Sequence, residues 1–156
     1  FRISAVDGPT EGWSMDDSVT LSKALHKLGV DVIDCSSGGV LGPPRFRGDD
    51  AGKPFQSRTA RGPGFQVPYA ERIKQQPDAL SMAVGVIVDP HQANDIIEAG
   101  QADLVALGRE LMYNPFWPLH AAQALDADAA FKHWPEQYGW AVEKRAGLAE
   151  FTGVRD

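Results

Sequence analysis

Cysteine is nearly missing from this chain: Cys35 is the single one among 156 residues. No internal disulfide can form, and a reducing compartment, the cytoplasm, is the expected setting. Long apolar runs are missing too. None approaches the roughly 20 residues that a membrane-spanning helix needs, so no membrane partner is expected. Positive charge is in deficit, with 15 Lys and Arg against 21 Asp and Glu and a formal charge of −6, which argues against a nucleic-acid partner. His26, His91, His120 and His133 show no metal-ligand spacing and no acidic cluster beside them, so no metal site is expected. The first three read as helix-surface residues and His133 as loop or tail. No G-x-G-x-x-G follows any strand pattern, which removes the best sequence argument for a dinucleotide-binding doubly wound sheet. Finally, the chain opens Phe1-Arg2-Ile3-Ser4, without a Met or a signal-peptide pattern. We expect it to start inside a strand, as a piece of a longer protein.

What is present is a globular composition, 43% hydrophobic and 23% charged, in a chain long enough for one domain with a real core. Residues 1–5 read as a strand followed by a loop rich in Asp, Gly and Pro. "SMDDSVTLSKALHKLGV" reads as a helix capped by Ser14 or Asp16, with Val19, Leu21, Leu25 and Leu28 as its apolar stripe and Gly29 past its end. "VDVIDC" is a strand, followed by the small-residue turn Ser36-Ser37-Gly38-Gly39. The stretch 40–64 is rich in Gly, Pro and Arg; its length exceeds the roughly 12–15 residues usual for structureless connections, so it is functional or mobile. Helical signal returns at 68–76. "ALSMAVGVIV" is a strand, "DPHQANDIIEAG" a helix with Ile96 and Ile97 inward, and "ADLVALG" another strand. "RELMYNP" and "PLHAAQALDA" are helices, and the segment after Phe131 holds one more.

Strands alternating with helices, each strand apolar on both faces, imply an α/β fold with a parallel sheet. Four βα units are half of a (β/α)8 TIM barrel. The expected organisation is a C-terminal half barrel over residues 1–126 and a helical tail over 127–156.

In such barrels ligands sit at the C-terminal strand ends, often with a phosphate held after the last two strands and beside a short extra helix. Here those strands run into Val84-Gly85 and Gly108-Arg109. Glycine admits a phosphate to backbone N–H groups, and arginine can grip it with two parallel hydrogen bonds. The plain alternative is a turn glycine and a surface charge. Arg2, at alternating spacing with Phe1 and Ile3, either is paired, faces a polar ligand, or is exposed at the chain end. Cys35 could in principle be a nucleophile, but no histidine is placed locally to activate it, and buried structural cysteine is the preferred reading. Trp134, Tyr138 and Trp140 read as packing, or as a surface that docks on another subunit.

The ordered segments "RISAVD", "GVDVIDCSSGG", "GPGFQVPYAERI" and "AVGVIVDPHQANDIIEAGQADLVALGRELMYNPFWPLHAAQAL" resemble the C-terminal half of the Old Yellow Enzyme family. The likeness is to its bacterial thermophilic-like and xenobiotic-reductase branch, from Phe1 to about Asp126, and is weaker through the tail. The resemblance implies an FMN-containing barrel of which this chain supplies strands five to eight. It implies an ene-reductase that passes a hydride from NADPH or NADH through FMN to an activated alkene such as an enone. Arg2 matches the family's arginine beside the flavin N1/C2=O edge, Gly85 the strand-seven glycine near the FMN phosphate, and Gly108 and Arg109 the pair that grips that phosphate. The family's substrate-anchoring pair, tyrosine proton donor, flavin-contacting glutamine and redox-tuning residue belong to the other half. No catalytic residue is therefore expected on this chain, and the chain alone is expected to be inactive. Its expected partners are the missing N-terminal half barrel, an enone or xenobiotic substrate and further copies of itself. Arg45, Arg47, Arg58 and Arg61 in the long loop could border the active-site mouth or bind nicotinamide-cofactor phosphate, with a solvated loop as the plainer alternative. Tyr138 or Trp140 could reach a neighbouring subunit. Two alternatives stay open: another phosphate-binding barrel enzyme, an isomerase or lyase, and a non-catalytic, partner-dependent half barrel.

Overall fold

The structure, a computed structural model, describes residues 1–7, 12–38, 62–76 and 80–148. The four arginines of the long loop lie outside the described residues. The elements run β1 (Arg2–Ser4), α1 (Met15–Lys27), β2 (Val32–Ser36), α2 (Val67–Lys74), β3 (Leu80–Val84), α3 (Pro90–Glu98), β4 (Leu104–Ala106), α4 (Arg109–Tyr113), α5 (Trp117–Ala124) and α6 (Glu136–Ala146). The four strands pair in parallel, in the order β1-β2-β3-β4. This alternation is the α/β architecture expected of part of a (β/α)8 barrel.

Local chemistry sets the helix boundaries. Ser14 opens α1 with a capping box: its Oγ accepts the Asp17 N–H at 3.2 Å, and the Asp17 carboxylate accepts the Ser14 N–H at 2.9 Å. Hydrogen bonds from the Ser14 side chain and backbone hold the Asp17 carboxyl below its ordinary value. Gly29, at φ +93°, turns the chain out of the helix. The buried face of α1 carries Ser18, Val19 and Ser22, while Leu21 and Leu25 pack at its border. Both serines are satisfied inside the fold, donating to Ala5 O at 2.8 Å and Ser18 O at 2.7 Å, and their small size lets the helix lie close to the sheet. Leu28 corrects the expected stripe: it is the C-cap rather than a helical position, and it is 82% exposed. Ile97 is a second correction. Ile96 points inward, but its neighbour lies on the outer side of α3 and is 40% exposed.

One face of the sheet makes the core. Ile3, Ile33, Cys35 and Ala83 pack with Val19, Val67, Ala70, Ile73 and Ile96 from the helices. By the two-residue period of a strand, the alternate residues face the other way. Register aligns Arg2 with Asp34, Asp34 with Met82, and Met82 with Leu104, a row across all four strands. None of these is buried, and Ser4, Ser36, Val84 and Ala106 in the next row are half-buried. The strands are thus not apolar on both faces, as their composition suggests. One face is a helix-covered core, and the other, which a closed barrel turns inward, carries an arginine, an aspartate and two serines. At the N-terminal end of the sheet Asp103 ties three elements together: it accepts the Ser81 N–H at 2.8 Å and pairs with Lys74 Nζ at 2.9 Å. Burial pushes the Asp103 carboxyl up, but these donors outweigh it and hold it below the ordinary value.

Two compact units are resolved: Phe1–Val88 with Gln92–Gly108, and Asp89–His91 with Arg109–Asp156. The 126/127 boundary expected from the sequence falls inside the second. That unit is organised around Trp134, 7% exposed, whose ring lies 5.6 Å from Phe116, 5.4 Å from His120 and 6.3 Å from Tyr138. Asp128 anchors the turn before it, accepting the N–H groups of Lys132 at 2.8 Å and His133 at 2.9 Å. Among the described residues, no helix is long and apolar enough to cross a membrane.

Candidate functional site

Because the strands are parallel, their C-terminal ends share one rim, the end at which βα barrels build ligand sites. Short hydrogen bonds lace this rim together. Ala5 N–H donates to Ser36 O at 2.8 Å, Gly38 N–H to Val6 O at 3.0 Å, and Ser4 Oγ to Gly38 O at 3.0 Å. Gln66, at the entrance of α2 and 5% exposed, joins β2 to β3. Its Oε1 accepts Ser37 Oγ at 2.8 Å, and its Nε2 donates to Val84 O at 3.0 Å. Gly64 N–H adds a bond to Gly85 O at 2.9 Å.

Gly85 lies under this clamp at φ +122°, and the next residue, Val86, is also left-handed at φ +52°. A β-branched residue adopts that conformation only where its surroundings over-determine it, so strain is held at the rim. A Cβ on Gly85 would come 2.9 Å from both Gln66 Nε2 and Phe65 Cε1. The protein's own side chains therefore fill the space that this glycine vacates. Gly108 is different. It follows β4 without a left-handed angle, and a Cβ there would meet nothing within 4 Å.

The structure brings Gly85 and Gly108 to the same end of adjacent strands. Arg2 lies elsewhere, on the open sheet face in the row below Ser4 and Ser36. Both Nε and Nη2 of Arg2 reach Asp34 Oδ2 at 2.8 Å, with the Arg2 side chain 59% exposed and that of Asp34 17%. Arg109 opens α4 as an exposed residue and belongs to the second unit. Cys35 faces the core and is fully buried. Burial, and then the charge of Asp34, pushes its thiol up to about 12, so it is inert as a nucleophile. Among the described residues no three His, Cys, Asp or Glu side chains gather to hold a metal ion.

Sequence reading missed Gln66 and Asp34. A glutamine entering a helix carries no motif. Asp34 becomes informative only when register sets it beside Arg2, and cross-strand register is not written in either strand alone.

A parallel sheet with helices on one face and a polar open face is the architecture of part of a βα barrel, a fold that places its ligands at the strand ends. The model of the NADH:flavin oxidoreductase / NADH oxidase family matches residues 1–128. The chain belongs to this family. Similar proteins include an NADPH dehydrogenase of Geobacillus sp. (strain WCH70), 42% identical over 124 residues that cover 80% of this chain and 32% of the relative. Another is an NADPH dehydrogenase of Geobacillus thermodenitrificans (strain NG80-2), 38% identical over 141 residues, 89% of this chain and 36% of the relative. A third, of Bacillus subtilis (strain 168), is 36% identical over 141 residues, 89% of this chain and 37% of the relative. The chain spans about a third of the length of the curated relatives it matches.

Proposed function

We propose that this chain is the cofactor-holding C-terminal half of an FMN-dependent NAD(P)H oxidoreductase, an ene-reductase acting on enones and related xenobiotics. The observation that carries the reading is Arg2: a guanidinium held by an ion pair on the sheet face that a closed barrel turns inward. A cation fixed there is suited to the electron-rich edge of a reduced flavin. Membership in a flavin oxidoreductase family supports the same cofactor.

The residues present fit FMN. Gly108 has open space where a side chain would be, so phosphate oxygens can approach its backbone N–H. Arg109 follows it directly and offers a planar pair of donors for the same group. Gly85 contributes through its backbone. Its vacated space is taken by Gln66 and Phe65, so it shapes the rim, and only its backbone is left to face a ligand. Bound FMN supplies hydride transfer from NADPH or NADH to the β-carbon of an activated alkene. This chain's own share is to bind, orient and electrostatically bias that cofactor. The groups that anchor and protonate the substrate belong to the N-terminal half barrel, which closes over the open face. On the second unit Trp140, 60% exposed, suits contact with a further copy better than Tyr138, which packs on Trp134.

Purified full-length protein should show visible flavin absorbance, and Arg109→Ala should weaken FMN retention by about tenfold or more, the loss of one charge-assisted bidentate contact. A colourless protein that takes up no FMN refutes the cofactor. Unchanged retention in the variant refutes the role of Arg109.

A further inference from the structure

We propose that Asp34 is a positioning residue for Arg2, one that fixes the guanidinium and sets how much of its charge reaches the flavin; this rests on the reading of Arg2 as the cation beside that cofactor. Arg2 and Asp34 are register partners on adjacent strands, with their side chains on the same open face. Two donors of the guanidinium, Nε and Nη2, converge on the single oxygen Oδ2, each at 2.8 Å. That fork fixes the plane of the group, which a single contact would leave free to swing.

Stability does not account for the pair. Arg2 is more than half exposed, and ion pairs of that kind contribute little to folding. Aspartate is also a poor strand residue. Its second oxygen, Oδ1, is buried and has no hydrogen-bond partner among the described residues, a cost that a valine or threonine at this position would avoid. The rest of the row is apolar, Met82 and Leu104, so Asp34 is the one charge set beside Arg2 in it. A costly carboxylate aimed at one cation is explained by what it does to that cation. A bare guanidinium would stabilise the reduced, anionic flavin strongly and leave it a reluctant hydride donor. The carboxylate offsets part of that charge while keeping the guanidinium in place.

The test is the two-electron reduction potential of FMN bound to the full-length holoprotein, measured by dye-equilibrated reductive titration. Asp34→Asn keeps the side-chain shape and removes the charge. It should shift the equilibrium about tenfold toward reduced flavin, which is about 30 mV more positive. Asp34→Glu, which keeps the charge, should move it by less than half as much. An unchanged or more negative potential in Asp34→Asn overturns the proposal. If Asp34→Asn does not yield folded holoprotein, Asp34→Ser is measured in its place. Failure of both to hold flavin makes the carboxylate a folding requirement and likewise overturns the proposal. Arg2→Met tests the underlying reading separately. It should lower the potential, and if it does so while Asp34→Asn does nothing, only the role of Asp34 falls. If Arg2→Met leaves the potential unmoved, the reading of Arg2 falls with it.

Discussion

Replacing Gly85 and Gly108 by alanine, one at a time, separates a glycine that the fold requires from one with open space around it. At Gly85 the new methyl is set at φ +122°, a region that only glycine enters readily, and the strain there is about 1–3 kcal/mol. The methyl would also press to 2.9 Å on Gln66 Nε2 and on the edge of the Phe65 ring. Relieving that contact displaces the Gln66 amide from Val84 O and Ser37 Oγ, bonds of 3.0 and 2.8 Å. Each such bond is worth about 1 kcal/mol net. Gly85→Ala should therefore lose about 3–5 kcal/mol in urea unfolding of the full-length protein, seen as a lower midpoint at unchanged slope. Gly108→Ala meets nothing within 4 Å and needs no unusual backbone angle, so its stability should stay within about 0.5 kcal/mol of the parent. With the role proposed for Gly108, its FMN affinity should nevertheless fall, because the methyl would stand where phosphate oxygens would approach. A loss below about 1 kcal/mol for Gly85→Ala, or an equal loss for Gly108→Ala, would refute this account of the rim.

Two further outcomes follow from titratable groups. With its thiol pushed up to about 12, Cys35 should react with a disulfide reagent at pH 8 only at the rate of global unfolding; fast labelling of the native protein would contradict its burial. Asp103 has a folded value below its ordinary 3.8, so its contribution is complete above that pH and is lost as pH falls through the lower, folded value. Urea midpoints compared at neutral pH and near pH 3 should drop less steeply in Asp103→Asn than in the parent, and matching drops would show that the Ser81 and Lys74 contacts do not matter.

Much of the fold was legible in the sequence because each signal was local. Ser14 or Asp16 marks a helix start by itself, Gly29 marks its end, and apolar runs between such signals mark strands. The helical stripe of α1 was only partly readable. Two serines lie in the buried face that a count of leucines points away from, and their hydroxyls are satisfied by carbonyls that only the fold supplies. The site divided in the same way. Gly108 and Arg109 stand out as a pair because a strand pattern ends on them. The occupant of the space beside Gly85 comes from residues about twenty positions earlier, and the partner of Arg2 from 32 positions later. Those contacts depend on register and crossover, which no single segment encodes.

The strand order has a kinetic consequence. Among the described residues each strand pairs only with the one made just before or after it, so the sheet can lengthen by one βα unit at a time as the chain leaves the ribosome. No described strand has to wait for a distant partner among the described residues, and loop-closure entropy is spent in small instalments. From β1 to β3 the growing edge belongs to the newest strand, and the next strand to emerge is the one that pairs with it.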